Sequence, residues 1–265
     1  MLDGGAHVLT APLTLSPLAA PVAHAVHLLF EWLAVALGVQ LYRRSRRRDT
    51  GNGALTSAGN FAVTIGCIFG AGIGNKLVFW AEYPHLFAAH AASLTVWMGG
   101  QSIVGGLLGG LIGIELAKKL TGQRASTGDA FVLPLMAAMA LGRVGCLLAG
   151  LNDATYGTPT ALPWGVDFGD GVARHPTQVY DMLFVLGFGA VLLASRARWR
   201  ERPGMLFKLY LSGYLLWRLA VDAIKPVPYD YGAGLSGVQL VCIVALLCYL
   251  PVVARQALHS PARVP

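Results

Sequence analysis

The chain has 265 residues, of which 55% are hydrophobic and only 12% are charged, and its mean hydropathy is +0.58. Soluble domains carry roughly 25% charged residues, so this composition excludes an ordinary soluble protein and indicates a membrane protein. The net charge of +7 could suit nucleic acid, but the basic residues flank apolar segments, which argues against a nucleic-acid partner.

Apolar segments of about 20 residues recur along the chain, and each predicts a transmembrane helix. In chain order the seven predicted spans cover residues 24–42, 57–80, 95–117, 130–150, 177–195, 204–224 and 235–254. We therefore expect an all-α integral membrane protein with a single transmembrane domain over residues 1–265.

Most of the 20 basic residues follow spans one, three, five and seven, and so mark one side of the membrane. They are Arg43, Arg44, Arg46, Arg47, Arg48, Lys118, Lys119, Arg124, Arg196, Arg198, Arg200, Arg202, Arg255 and Arg263. The positive-inside rule predicts that this side is the cytoplasm, with the N-terminus outside and the C-terminus inside. Because no basic residue precedes the first apolar run, we expect no cleavable signal peptide, and we expect a location in a bacterial inner membrane.

The remaining basic residues call for another explanation. They are Lys76, Arg143, Arg174, Lys208, Arg218 and Lys225. All except Lys208 are predicted in or beside the outer half of the membrane, where an arginine within an apolar helix costs about 2.5–3.5 kcal/mol. An anionic partner such as a phospholipid phosphate would explain them, and the alternative is pairing with Glu82, Asp181 and Asp222. Asp181 would suit either Arg143 or Arg218.

Glycine accounts for 33 residues, and many of these glycines recur at intervals of four. Span two carries one such stripe, and span three carries another: Gly66, Gly70 and Gly74, and then Gly105, Gly109 and Gly113. Span four has the same spacing of small residues, at Ala138, Gly142, Cys146 and Gly150. Stripes of small residues allow helix backbones to approach closely. We expect this packing to turn Arg143 toward the protein interior.

Residues 151–176 are too polar and too rich in turns to cross the membrane, and they predict a small extracytoplasmic cap between spans four and five. Asp170-Gly171 lies between "WGVDF" and "VARHP", which indicates a hairpin turn. The cap would bring Arg174 and His175 to the outer end of span five, near Arg143.

The four cysteines lie within the spans without a CxxC pair, so neither a disulfide nor a metal site is expected. The other histidines, His27 among them, are typical of the membrane interface.

Several sequence blocks resemble the prolipoprotein diacylglyceryl transferase family, over roughly residues 60–250. These blocks are "GGQSIVGGLLGG", "TGDAFVLPL", "GRVGCLLAG", "YGTPTALPWGVDF", "RHPTQVYD", "WRLAVDAIKPVP" and "LSGVQL". The arginine block "RHPTQVYD" and the signature-like "GRVG" are specific when they occur together. The seven spans with an outside N-terminus are also similar to the family's topology.

The resemblance implies transfer of a diacylglyceryl group from phosphatidylglycerol to the lipobox cysteine thiol of a prolipoprotein, with no cofactor. It implies that Arg143 binds the lipid phosphate and that Lys225 stands where the family has a second arginine. Arg218 and Arg174 could share this role. Gln178 and Tyr180, one turn from His175, and Gly142 of the signature complete the lipid site that we expect.

The sequence departs from the family at the site itself. Val104 stands where many members have a histidine that is proposed as a base, and Cys146 replaces the signature asparagine. Asp153 or Asn152 could stand in for a family glutamate, and Asp153 could instead hold Arg143. His175 is then our candidate base, because imidazole has a suitable pKa range, although it could simply cap span five. We expect Cys146 to pack rather than to act as a nucleophile.

Two further functions are compatible with these departures. One keeps the fold and the phospholipid donor but uses a different acceptor. The other is a non-catalytic lipid-binding membrane protein, which the lack of internal repeats and the outer position of the charges disfavour.

Overall fold

Helices make up most of the chain that the computed structural model describes, which is residues 13–50, 58–90 and 92–258. They are α1 (Ala20–Thr50), α2 (Ala58–Glu82), α3 (Pro84–Ala89), α4 (Leu94–Met98), α5 (Ile103–Thr121), α6 (Val132–Ala149), α7 (Thr177–Ala194), α8 (Met205–Asp222) and α9 (Gly237–Leu258). Three short strands are β1 (Leu13–Thr14), β2 (Val166–Asp167) and β3 (Ala173–Arg174). A 3-10 turn, Gly150–Asp153, follows α6.

Five described segments are long and apolar enough to cross a membrane. They are Ala20–Arg48, Phe61–Glu82, Gly128–Asp153, Thr177–Ala194 and Gly237–Leu258. The chain is thus a mostly helical membrane protein, as expected from its composition. Helices α5 and α8 coincide with two further predicted spans, and each carries three charged side chains. The count of seven spans and their orientation stay predictions.

The glycine stripes of α2 and α5 face each other, as the spacing predicted. A Cβ atom added at Gly70 would overlap the backbone of Gly109, and one added at Gly109 would overlap Gly70. The same close approach recurs one turn away in each direction, at Gly66 with Gly113 and at Gly74 with Gly105. Side chains between the two helices would force them apart, so the glycines set their separation.

The helix of span three begins later than predicted, because the chain turns before it. Gly100 has the left-handed φ of 61°, and Lys76 Nζ donates a hydrogen bond to its carbonyl at 2.7 Å. Ser102 then caps α5, and its N–H donates to Asn75 Oδ1 at 2.6 Å. The predicted span continued through this break because it was drawn from the apolar pattern alone.

The small-residue face of α6 packs against α1 rather than against α2 and α5. A Cβ at Gly38 of α1 would lie 3.4 Å from Ala138 Cβ, and one at Gly142 would lie 4.0 Å from Ala34 Cβ. Helix α7 packs on another side of α6. As expected, Arg143 faces the interior and is only 7% exposed. With α1 on α6 and α2 on α5, a cavity lies between the two helix pairs.

The cap contains the predicted hairpin. Strands β2 and β3 are antiparallel, with Val166 opposite Arg174. In the turn, the Asp167 carboxylate accepts hydrogen bonds from the N–H groups of Gly169, Asp170 and Gly171. Strand β1 adds a parallel neighbour on the other side of β2, which the sequence analysis did not foresee.

We expect Gly70→Ala to destabilise the protein, because its methyl group must enter the backbone of α5. Overpacking of this kind costs about 1–3 kcal/mol, measurable as a lower Tm in detergent. Gly72→Ala is the matched control, since a Cβ there meets no atom within 4 Å. It should leave the Tm unchanged or raise it, because alanine favours helix by about 1 kcal/mol. Equal Tm values for the two variants would contradict the role of the glycine stripe.

Candidate active site

A cavity of about 1300 Å³ lies among α1, α2, α6 and the start of the cap. One stretch of its wall is apolar and includes Leu28, Val35, Val39 and Ile68. The ionisable side chains of the lining are His24, His27, Glu31, Tyr42, Cys67, Glu82, Tyr83, Arg143, Cys146, Asp153, Tyr156, Arg218, Asp222 and Lys225. A cavity with an apolar wall and grouped charges suits an amphiphilic ligand such as a lipid.

Arg143 is fixed in the cavity wall by a buried carboxylate from the next helix. Its Nη2 lies 2.8 Å from Asp181 Oδ2 on α7. Trp217 Nε1 of α8 donates to the other carboxylate oxygen at 2.7 Å. Asp181 is only 1% exposed, so its charge needs these partners. Of the two partners that the sequence allowed for Asp181, Arg143 is the nearer one, at 2.8 Å, and Arg218 lies 3.6 Å away.

The ion-pair network continues to two more cations. Arg218 Nη1 lies 3.6 Å from Asp181 Oδ2, and its Nη2 lies 2.8 Å from Asp222 Oδ1. Lys225 Nζ lies 3.6 Å from the same Asp222 oxygen. In this network three cations share two carboxylates, which favours the approach of a further anion.

The Arg218 guanidinium also has nitrogen donors that make no hydrogen bond to any described residue. Within the described part of the chain, its buried Nε and Nη1 atoms have no hydrogen-bond partner. Buried donors without a hydrogen bond are costly, and several phosphate oxygens arriving together would satisfy them. Glu82 also lines the cavity, but its Oε2 accepts a hydrogen bond from the Val238 N–H at the start of α9.

A second polar group lies in the same cavity, where the 3-10 turn after α6 meets α1. His27 Nδ1 is 2.9 Å from Asp153 Oδ1, and Thr155 Oγ1 donates to Asp153 Oδ2 at 2.5 Å. The ligand atoms of His27, Cys146 and Asp153 all lie within 4.8 Å of one another. Arg143 Nη1 lies 3.8 Å from Cys146 Sγ and joins this group to the ion-pair network.

The structure brings five of the residues predicted for the site together in the cavity wall. They are Gly142, Arg143, Asp153, Arg218 and Lys225. Asn152, the alternative to Asp153, also lines the cavity. Asp153 contacts His27 rather than Arg143, whose carboxylate partner is Asp181.

The other four predicted residues are not among the residues that line the cavity. Arg174 makes a bidentate ion pair with Asp170, with both N–O distances at 2.7 Å, and lies over the Tyr156 ring. Hydrogen bonds from Arg174 lower the pKa of the Asp170 carboxyl. Because the guanidinium is already paired, Arg174 is a structural part of the hairpin in this conformation.

His175, Gln178 and Tyr180 lie at the junction of the cap and α7. His175 Nδ1 is 3.3 Å from Tyr180 Oη, which accepts a hydrogen bond from Trp164 Nε1 at 2.8 Å. The fully buried Gln178 donates from Nε2 to Thr155 Oγ1 at 3.2 Å. Gln178 therefore reaches Asp153 through a single hydroxyl group.

The sequence analysis missed His27, Thr155 and Trp217 as parts of the site. An ionisable residue inside an apolar run was the available signal for His27. No spacing rule connects it with Cys146 and Asp153, which are far away in the chain. Val104, which replaces the family histidine, is 1% exposed and belongs to the hydrophobic core.

Comparison with known proteins agrees with the motif resemblance. Residues 20–255 match the family described as prolipoprotein diacylglyceryl transferase. The chain belongs to this family. Similar proteins named phosphatidylglycerol–prolipoprotein diacylglyceryl transferase occur in Nocardia farcinica, Geobacter sulfurreducens and Gluconacetobacter diazotrophicus.

Coverage differs among these relatives. The Nocardia protein is 28% identical over 80% of this chain and 46% of its own length. The Geobacter protein is 32% identical over 62% of this chain and 63% of its own length. The Gluconacetobacter protein is 29% identical over 91% and 86%, respectively. The chain thus spans about half to two thirds of the length of the first two relatives.

Its family membership and its several apolar helices together indicate a multi-pass bacterial membrane protein.

Because the Lys225 ammonium lines the cavity, we expect anion binding to depend on pH. Burial lowers its pKa to about 8, and the neighbouring Arg218 charge acts in the same direction. The ammonium is therefore protonated below pH 8 and becomes neutral above it. We expect the Kd for an anionic phospholipid in detergent to rise roughly tenfold from below to above this pH, the value of one charge-assisted contact.

Lys225→Arg should remove this dependence, because a guanidinium stays charged throughout that range. Lys208→Arg, which alters a lysine bonded to Gln256 outside the cavity lining, is the matched control and should keep the wild-type profile. A wild-type Kd that does not change across pH 8 would contradict a role for the Lys225 charge.

Proposed function

We propose that the protein transfers the diacylglyceryl group of phosphatidylglycerol to the lipobox cysteine thiol of prolipoproteins, in a bacterial inner membrane. The observation that carries this proposal is the network of three cations sharing two carboxylates in the wall of a lipid-sized cavity. The names of the relatives supply the donor and the acceptor class.

The donor phosphate is proposed to bind between Arg143, Arg218 and Lys225. Arg143 presents a guanidinium whose orientation Asp181 fixes, and Arg218 offers two donor atoms that have no hydrogen bond among the described residues. The acyl chains would lie along the apolar wall formed by α1 and α2, where Val35 and Ile68 line the cavity. This placement puts the headgroup and the chains of one lipid in a single cavity.

The same cations suit the chemistry of the transfer. The thiolate sulfur attacks the glyceryl carbon, a C–S bond forms, and the C–O bond to the phosphate breaks. Negative charge then grows on the leaving glycerol phosphate, and fixed guanidinium groups stabilise this charge without reorganising. Lys225 supplies charge without the bidentate fork of the family arginine, and Arg218 compensates for this loss.

The topology belongs to the proposal. We infer seven spans, α5 and α8 included, with the cap and the polar part of the cavity on the outer side and the arginine-rich ends in the cytoplasm. This orientation would place the site in the outer leaflet, where a translocated prolipoprotein could present its cysteine.

The assay for this function uses purified protein in detergent, phosphatidylglycerol labelled in its diacylglyceryl group, and a lipobox-cysteine peptide. We expect thioether product from the wild type and a rate at least about 100-fold lower for Arg143→Gln, the cost of losing a transition-state donor. Arg124→Gln, at an exposed position outside the cavity lining, is the control and should retain the rate. Arg143→Lys should recover only part of the activity, because lysine restores the charge without the fork.

No thioether from the wild type, with an active family member in the same assay, would contradict the proposed function. Transfer to a thiol that lacks a lipobox, but not to the lipobox peptide, would instead favour the same donor with another acceptor. That alternative is supported by the altered signature at Val104 and Cys146.

The base is tested in the same assay. Our sequence-based candidate is His175, whose ring contacts Tyr180, whereas His27 lies in the cavity wall beside Asp153. Because His27 lines the cavity and His175 is not among its lining residues, we expect His27→Ala to lose more activity than His175→Ala. A larger loss for His175→Ala would restore His175 as the base.

A further inference from the structure

We propose that His27, Cys146 and Asp153 form a zinc site whose fourth position binds the acceptor thiol as a thiolate. The inference rests on the proposed transfer and adds to it the group that activates the nucleophile. It also reverses the expectation from the sequence that the protein has no metal site.

The three side chains offer the donor atoms and the spacing that zinc needs. Zinc binds thiolate, imidazole and carboxylate ligands at about 2.0–2.3 Å, so tetrahedral ligands lie roughly 3–4 Å apart. Here the ligand atoms of His27, Cys146 and Asp153 lie within 4.8 Å of one another, and one pair is 2.9 Å apart. The longest of these separations would have to shorten when the ion binds.

The His27 ring is available as a ligand. Its buried Nδ1 faces the other two ligand atoms and lies 2.9 Å from Asp153 Oδ1, so a bound ion would replace this direct contact. His27 and Asp153 approach from α1 and from the turn after α6, and both line the cavity. A bound ion would therefore be reachable from the space that holds the substrates.

The surroundings of the three residues resemble the outer shell of a metal site. Thr155 donates to Asp153 Oδ2, and Gln178 donates to Thr155, which fixes the carboxylate and leaves Oδ1 toward His27. Arg143 Nη1 lies 3.8 Å from Cys146 Sγ and so places a positive charge beside the sulfur. Outer-shell hydrogen bonds of this kind orient metal ligands.

Charge and coordination number leave one position for a substrate. A thiolate and a carboxylate neutralise Zn²⁺, and the neutral imidazole is the third protein ligand. Catalytic zinc sites keep three protein ligands and an open fourth position. That position would face the cavity that the three ligands share with Arg143, the residue proposed to bind the phosphate of the donor.

The reaction balances with this ion in place. The acceptor thiol loses its proton to solvent when its sulfur binds zinc, since a coordinating thiol is deprotonated. The zinc-bound sulfur then gives an electron pair to the glyceryl carbon, and the C–O electron pair leaves with the glycerol phosphate. No oxidant or further base is needed. The site thus compensates for Val104, which replaces the family histidine, and gives Cys146 a use in place of the signature asparagine.

The first test measures the metal content of full-length protein. The protein is purified in detergent and dialysed against a buffer that contains zinc. We expect about one zinc per chain in the wild type and at least a fivefold lower content in Cys146→Ser and Asp153→Asn. Two matched controls should keep the metal: Cys248→Ser, an exposed cysteine on α9, and His24→Ala, one turn from His27 on α1. Equal zinc in the wild type and both ligand variants would overturn the site.

Cobalt substitution gives a second readout that does not depend on any variant folding. Wild-type protein loaded with Co²⁺ should show a thiolate-to-cobalt charge-transfer band in the near ultraviolet, which changes when the acceptor peptide is added. A cobalt-loaded wild type without a thiolate band would overturn the assignment of Cys146 as a ligand.

The transfer assay separates failure of the site from failure of the proposed function. Loss of transfer on chelation, with recovery on adding zinc, supports both. Undiminished transfer by protein shown to be metal-free would leave the function standing and overturn the zinc site. Zinc bound by the three residues without any transfer would leave the site standing as a metal site and overturn its role in this reaction.

Discussion

The structure of the site depends on the ion pair between Arg143 and Asp181. An arginine inside an apolar helix is costly, and a buried aspartate is costly as well, so each requires the other. The 2.8 Å contact joins α6 to α7, and the Trp217 hydrogen bond to the same carboxylate adds α8. The pair therefore fixes three helices around one guanidinium, and Arg218 extends the network from Asp181 to Asp222.

The cavity itself follows from how small residues are distributed among the helices. Gly70 and Gly109 let α2 and α5 approach until their backbones touch, and the small face of α6 receives α1. These two close pairs leave a lipid-sized space between them, with an apolar wall and the cations of the ion-pair network at its polar part. Close packing elsewhere thus creates the space in which a phospholipid can bind, and the cap hairpin lies next to the polar end of this space.

Local pattern could predict much of the fold, because hydropathy, basic clusters and glycine spacing are local signals. It anticipated close packing through the glycine stripes of α2 and α5, the Asp170-Gly171 hairpin, and Arg143 as one of two possible partners of Asp181. It could not predict that the chain breaks before Ser102, since that break depends on the side chains of α2. Nor could it bring His27 to Cys146 and Asp153, because that meeting depends on which helix packs against α6.

The central claim is that the cations held by Asp181 and Asp222 bind the phosphate of a donor phospholipid. The most direct measurement is an experimental structure of the protein with phosphatidylglycerol. The account predicts phosphate oxygens within hydrogen-bond distance of Arg143 and Arg218, with acyl chains between α1 and α2. A phosphate bound at Arg174 in the cap, with no headgroup in the cavity, would contradict the account.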